Sequence, residues 1–205
     1  HDDTWCDLPI VGFLTFDDEP DQYLFAAILR PGNVVATRGA EGLLRRTLAR
    51  LRGAFPHARY RVRLDGGFAS PALLTFLDEE PGVEYVVAMG DNAVLTRAAA
   101  PLMDVARALA AQTGETAHVY GETRYQAGTW DRPRRVLIKA EVVQLAGREP
   151  RDNARFVITN LRQTPRFLYE VVYCGRGDVE NRIKELHYGL EIDRTSCTRF
   201  WANQL

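Results

Sequence analysis

The sequence predicts an α/β fold, and three stretches carry the prediction. Tyr60-Arg61-Val62-Arg63-Leu64-Asp65 alternates cleanly and then meets Gly66-Gly67 and a Ser70-Pro71 helix start. Residues 83–89 (VEYVVAM) are almost wholly apolar, as in a strand buried inside a sheet, and an alanine-rich helical stretch over 92–113 follows. After Gly114 the texture changes: strand-like runs at 118–126, 135–145 and 154–161 are separated by Gly, Pro, Asp and Arg. A β-rich block therefore interrupts an α/β pattern, as an inserted subdomain would.

The elements can be justified in order. Residues 8–16 read as a strand with Pro9 near its start, and residues 22–29 (QYLFAAIL) as a second. The Pro-containing cluster Asp17-Asp18-Glu19-Pro20-Asp21 turns the chain between them into a hairpin, and Pro31-Gly32-Asn33 ends it. Leu43, Leu44, Leu48 and Leu51 have helical spacing with Arg45, Arg46, Arg50 and Arg52 interleaved, an amphipathic helix with a basic outer face. Such a face is ordinarily solvated; contact with a phosphate backbone is the functional alternative. In the alternating strand, Tyr60, Val62 and Leu64 share one side and Arg61, Arg63 and Asp65 the other. Asp65 stands at the carboxyl end of a strand-turn-helix unit, where open α/β sheets place ligands; Asp-Gly is also plain turn chemistry. Trp130-Asp131-Arg132-Pro133-Arg134-Arg135 is a basic loop with Trp130 expected exposed. Most such loops are hairpin tips, but an aromatic among arginines also holds unstacked bases.

The last motif begins at Tyr173. At about 100° per residue, Arg176, Glu180 and His187 fall near 300°, 340° and 320° from Tyr173, on one narrow face. Val179, Ile183, Leu186 and Leu190 make a buried stripe beside that face. Asp178 is a capping residue, while Gly175 and Gly177 weaken the first turn. One meaning is a solvated amphipathic helix; the other is a polar set looking into a cleft.

Composition narrows the classes. The 205 residues include 46% hydrophobic and 26% charged side chains, and the formal charge is −1. A polyanion would thus be held by local basic patches and not by the global field. Cys6, Cys174 and Cys197 are sparse and unpaired in spacing, which fits a reducing, cytoplasmic setting, and no C-x-x-C or H-x-x-x-H element suggests zinc. No apolar run has the length of a membrane span and no signal peptide is visible. Strand-like sequence begins almost at once and Gln204-Leu205 falls in an expected helix, so a piece of a longer polypeptide is expected.

Three passages then combine: Tyr173-x2-Arg176-x3-Glu180-x6-His187; Asp65 within Arg63-Leu64-Asp65-Gly66-Gly67-Phe68; and the flanking Leu29-Arg30-Pro31-Gly32-Asn33, Asn181-Arg182-Ile183-Lys184-Glu185-Leu186 and Asp193-Arg194-Thr195-Ser196-Cys197. In this order they resemble the group 1 DDE transposases of bacterial insertion sequences, whose final acid lies in a Y-x2-R-x3-E-x6-K signature. The resemblance implies a ribonuclease-H-like core over 1–117, a β-rich insertion over 118–164, and the core's C-terminal catalytic helix over 165–205. It implies Asp65 as the second catalytic acid and metal ligand and Glu180 as the third. Tyr173, Arg176, Asn181, Arg182, Lys184 and His187 become DNA contacts, with Trp130 a further candidate. Two Mg²⁺ ions roughly 3.5–4 Å apart, replaceable by Mn²⁺, serve the attacking and leaving oxygens of phosphoryl transfer. DNA, as element ends and target, is the implied partner, and a homodimer on paired ends in the bacterial nucleoid the implied assembly.

Two departures stand out. The signature's last position holds His187 in place of Lys, and imidazole is only partly protonated at neutral pH. The change His187→Lys is therefore expected to preserve or raise strand transfer at about pH 8, a loss of activity counting against a phosphate contact there. The family's first acid is expected upstream of residue 8, leaving Asp2 and Asp3 on the approach to a strand and Asp17, Asp18 and Asp21 in the turn. Two of three ligands are then present, and weak Mg²⁺ binding without cleavage is expected of this chain alone. The alternatives are a non-catalytic DNA-binding remnant and a ribonuclease-H-like nuclease that hydrolyses without joining.

Overall fold

A computed structural model describes residues 9–17 and 19–176. The chain divides into two compact units, one of residues 1–40 with 176–205 and one of residues 41–175. Among the described residues no helix is long and apolar enough to cross a membrane.

In the first unit β1 (Ile10–Leu14) pairs antiparallel with β2 (Tyr23–Ile28), the expected hairpin. Asp17 bends the connection with φ at 47°, a left-handed conformation that Asp tolerates better than most residues. Gly12 is sterically required, since a Cβ there would lie 2.6 Å from the Phe25 ring. After β2 the buried Arg30 guanidinium donates to the carbonyls of Ala36 at 2.6 Å and Arg38 at 3.0 Å. An arginine in the Leu29–Asn33 stretch thus holds together the loop that follows it.

The second unit begins within α1 (Ala40–Ala54) and is built on a five-stranded sheet in the order β3-β4-β7-β6-β5. β3 (Tyr60–Leu64) runs parallel to β4 (Val83–Met89), with α2 (Pro71–Glu79) as the crossover. α3 (Ala93–Thr113) leads to β5 (Ala117–Tyr125), β6 (Arg134–Val143) and β7 (Arg151–Thr159), an antiparallel meander. The ends of α3 follow local chemistry: Asn92 accepts from the amides of Val94 and Leu95, and Gly114 closes the helix at φ 70°.

The meander is continuous with the rest of the sheet: β7 pairs with β4 and so joins the same sheet as β3. The reason is hydrogen-bond accounting. β4 is apolar and largely buried, so both of its edges need partners; β3 satisfies one and the buried end of β7, Phe156 to Thr159, the other.

Helices cover both faces. Direct cross-strand partners share a face. On one face Ala140 and Val142 pack with Met103, Ala106 and Ala110 of α3, and the Tyr85 hydroxyl donates to Asp78 of α2 at 2.7 Å. On the other, Val86, Leu137 and Val157 pack under Leu161, Leu168, Tyr169 and Val172. Leu168, Tyr169 and Val172 belong to a helical stretch made of a short α turn (Pro165–Phe167), a π-helix (Leu168–Tyr173) and a 3₁₀ turn (Cys174–Arg176), and Leu161 precedes it.

Candidate active site

Asp65 follows the last residue of β3 with the backbone still extended, φ −79° and ψ 178°. Its carboxylate accepts the Gly67 amide at 2.9 Å and caps a 3₁₀ turn, Gly66–Phe68. The turn lies against the end of β4: a Cβ on Gly66 would stand 3.9 Å from the Ala88 carbonyl oxygen. Ser70 then caps α2 by accepting from the Leu73 amide. Both meanings of Asp-Gly therefore coexist. One carboxylate oxygen organises the turn, while the side chain stays exposed with lone pairs left for a cation or a proton.

What stands over Asp65 is set by Arg63. Its guanidinium donates to the Val172 carbonyl at 3.2 Å, across 109 residues of sequence. Arg63 thus lies on the face covered by the helical stretch. Alternation through the extended backbone puts Asp65 on the same face. The stretch passes close to the Arg63 guanidinium, since a Cβ on Gly175 would lie 3.2 Å from its Nη1. Gly175, expected only to weaken a helical turn, has a steric reason at this approach. The local winding also differs from expectation: Tyr173 ends a π-helix and residues 174–176 form a 3₁₀ turn, so a 100° step applies to neither.

An aromatic and charged layer continues across this face. Tyr173, half-buried, stacks obliquely on Tyr169 at 5.4 Å, and Tyr169 on Tyr120 at 5.8 Å. Lys139 Nζ lies 5.5 Å from the centre of the Tyr169 ring and donates to Glu141. Burial works to raise the Glu141 carboxyl, but hydrogen bonds from Lys139 and Asn153 outweigh it and hold the group below its ordinary value. Burial, with the hydrogen bond to Glu170, raises the Tyr120 hydroxyl well above its ordinary value, which keeps it a neutral donor.

Trp130 departs from its expected role. It is only 7% exposed, edge-on to Tyr125 at 5.3 Å and under the Arg134 guanidinium at 5.1 Å. The loop folds inward because Arg134 is itself buried and donates to Asp78 at 2.9 Å and Asp131 at 2.8 Å, pulling Trp130 down as a lid. A base-holding wedge needs an accessible ring, so Trp130 is a packing residue here. The basic face of α1 is partly spoken for too: Arg45 and Arg52 both engage Glu80, and Arg45 also Glu41.

The Trp130 loop carries a pH dependence. Hydrogen bonds from Arg132 and then Arg134 outweigh desolvation and bring Asp131 down to about 2. Its folded value lies below its unfolded one, so its contribution is present above about pH 4 and is lost as pH falls toward about 2. Denaturant midpoints measured across that window should fall less steeply for Asp131→Asn than for the parent.

Glu180, Asn181, Arg182, Lys184 and His187 lie outside the described residues, as do Asp2, Asp3 and Asp18. Arg176 closes the last described turn. Among the described residues no group of three His, Cys, Asp or Glu side chains is placed to hold a metal. Asp65, a hard oxygen donor in an exposed and anchored position, fits as one ligand of such a set. Sequence reasoning passed over Arg63 and the charged rows of β6 and β7, which share the face of Asp65. Their alternation was readable; which face they occupy required the strand pairing.

A mixed sheet with helices on both faces and an exposed carboxylate at a strand's carboxyl end defines the class as α/β. The family model of the transposase DDE domain, group 1, matches residues 1–205, and the chain belongs to that family. No curated protein and no solved structure matches it.

Proposed function

We propose that the chain supplies the catalytic core of a DNA transposase, in which Asp65 and Glu180 serve as the second and third acids of metal-dependent phosphoryl transfer. Supporting this beyond family membership is the Arg63–Val172 hydrogen bond, which ties the strand of Asp65 to the stretch that opens the Tyr173 signature. The mixed sheet with its flanking helices is compatible with a ribonuclease-H-like core, residues 118–164 occupying the family's insertion position in chain order while sharing the sheet.

Asp65 and Glu180 would hold Mg²⁺ as two acids of the family's set of three. The bound ion would supply charge neutralisation at the attacking and leaving oxygens. The chain's own residues do the rest. Asp65 is held by Gly67 N–H, so its carboxylate is oriented before substrate arrives. Tyr173 and Arg176 open the signature and contact phosphates of the processed strand, Arg by its planar fork. Asn181, Arg182, Lys184 and His187 extend those contacts, and a homodimer on paired ends completes the assembly. In the reaction a water oxygen or a 3′-hydroxyl bonds to phosphorus as the existing bond from phosphorus to the 3′ oxygen breaks; the nucleophile gives its proton to solvent and the departing 3′ oxygen takes one up.

The test is a strand-transfer assay on the complete gene product with Mg²⁺ and pre-cut 3′ ends. Joined products are expected. Cleavage without joining would replace the transposase by a nuclease, and binding without either would leave a DNA-binding remnant.

A further inference from the structure

Beyond Asp65, the sheet face it shares runs on past the end of β4, and its charges do not balance. By the pairing of Leu64 with Val87, Asp65 lies level with Ala88, whose partner on β7 is Val157. The next position of β7 on this face is Arg155, then Asn153, then Arg151. Arg155 and Arg151 are both exposed and in line along one strand.

Apart from Asp65, the acids on this face are matched. Glu122 is held by Arg135, Glu141 by Lys139 with Asn153 and His118 beside it, Glu84 by Arg61, and Glu170 of the covering stretch by Arg166. Asp152, the acid between the two arginines, points to the opposite face and is taken by Arg107 of α3. Among the described residues Arg151 and Arg155 make no ion pair, and neither does Arg124 of β5; on β7 the two arginines are therefore surplus positive charge.

We propose that Arg155 and Arg151 grip backbone phosphates several nucleotides apart on the DNA duplex whose scissile bond lies at Asp65, so that β7 is a track leading into the active site. This rests on Asp65 being the catalytic acid of the proposed function. The spacing fits. Two residues along and two strands across put the Arg155 Cα roughly 12 Å from that of Asp65, and Arg151 lies about 13 Å further. At about 3.4 Å of helix axis per phosphate on one strand, each step spans three to four nucleotides. Both contacts are to phosphate, so they set position and register and carry no base sequence.

The experiment measures binding of the complete gene product to a fluorescently labelled mixed-sequence duplex by anisotropy across a salt series. Each arginine replaced by Ala is expected to weaken binding about tenfold at low salt and to flatten the slope of log K against log salt by about 0.9. The pair Arg151→Lys and Arg155→Lys should keep most of that slope, which a purely structural role would not predict. Arg97→Ala, on α3 at the opposite face, is the control and should change the slope little. Unchanged slope and affinity in Arg151→Ala/Arg155→Ala, or equal loss in the Arg97 control, would overturn the track. The parent function fails differently: Asp65→Asn would then cleave as fast as the unaltered protein, whatever the salt slope shows.

Discussion

Asp65→Asn is expected to lower Mg²⁺-dependent cleavage and joining about a thousandfold while leaving the fold and DNA binding in place. The substitution is nearly isosteric. Asn still offers a side-chain oxygen to the Gly67 amide, so the 3₁₀ turn and the start of α2 should persist. What is lost is a negative charge, and with it several kcal/mol of the charge stabilisation a bound metal gives the transition state, each 1.36 kcal/mol or so being tenfold in rate. Asp65→Ala removes the cap as well and should cost about 1 kcal/mol of stability on top. The pair therefore separates charge from turn chemistry: initial rates should be equally low in both, while the denaturant midpoint moves only for Ala. Retention of even a tenth of the rate in Asp65→Asn would remove this carboxylate from the metal site.

The largest stability effect is expected from Arg134→Ala. The Arg134 side chain is 2% exposed and Asp78 12%. Its guanidinium spans Asp78 on α2, Asp131 in the loop and the Trp130 ring. Truncation strands the Asp78 carboxylate in a dry environment with the Tyr85 hydroxyl as its remaining donor among the described residues. Breaking a buried pair in this way costs about 3–5 kcal/mol, or a fall in melting temperature of about 10 °C for a protein of this size. Arg134 Nη1 is buried without a hydrogen-bond partner among the described residues, so the network already carries a desolvation cost. Replacing both partners by apolar residues of similar volume, Arg134→Met with Asp78→Leu, should recover most of the loss. Thermal unfolding of the single and paired variants decides it. A double variant as unstable as the single one would mean that the charges themselves, and not their pairing, hold the loop.

Local chemistry was legible wherever one residue type has one physical use. The alternation of Tyr60 to Asp65, the apolar run over 83–89 and the alanine-rich stretch over 92–113 each mark an element that forms where expected. Asp65 was legible as a residue at a strand end, and the order of motifs along the chain was enough to recognise the family. Trp130 was misread because its neighbours along the chain are charged, while its neighbours in space are Tyr125 and the buried stem of Arg134. The 118–164 block reads in sequence as an insertion; that its last strand pairs with β4, so that the sheet continues, is visible only in the strand pairing.

What the sequence determined by itself is the set of elements, the family, and the identity of the acid at the end of β3, because periodicity, capping and turn preferences act over a few residues. What only the tertiary structure decided is which of those residues share a surface. Arg63 meeting Val172, Arg134 burying Trp130, and Arg155 lying on the side of Asp65 all follow from strand order and face, which depend on hydrogen-bond partners far away in the chain.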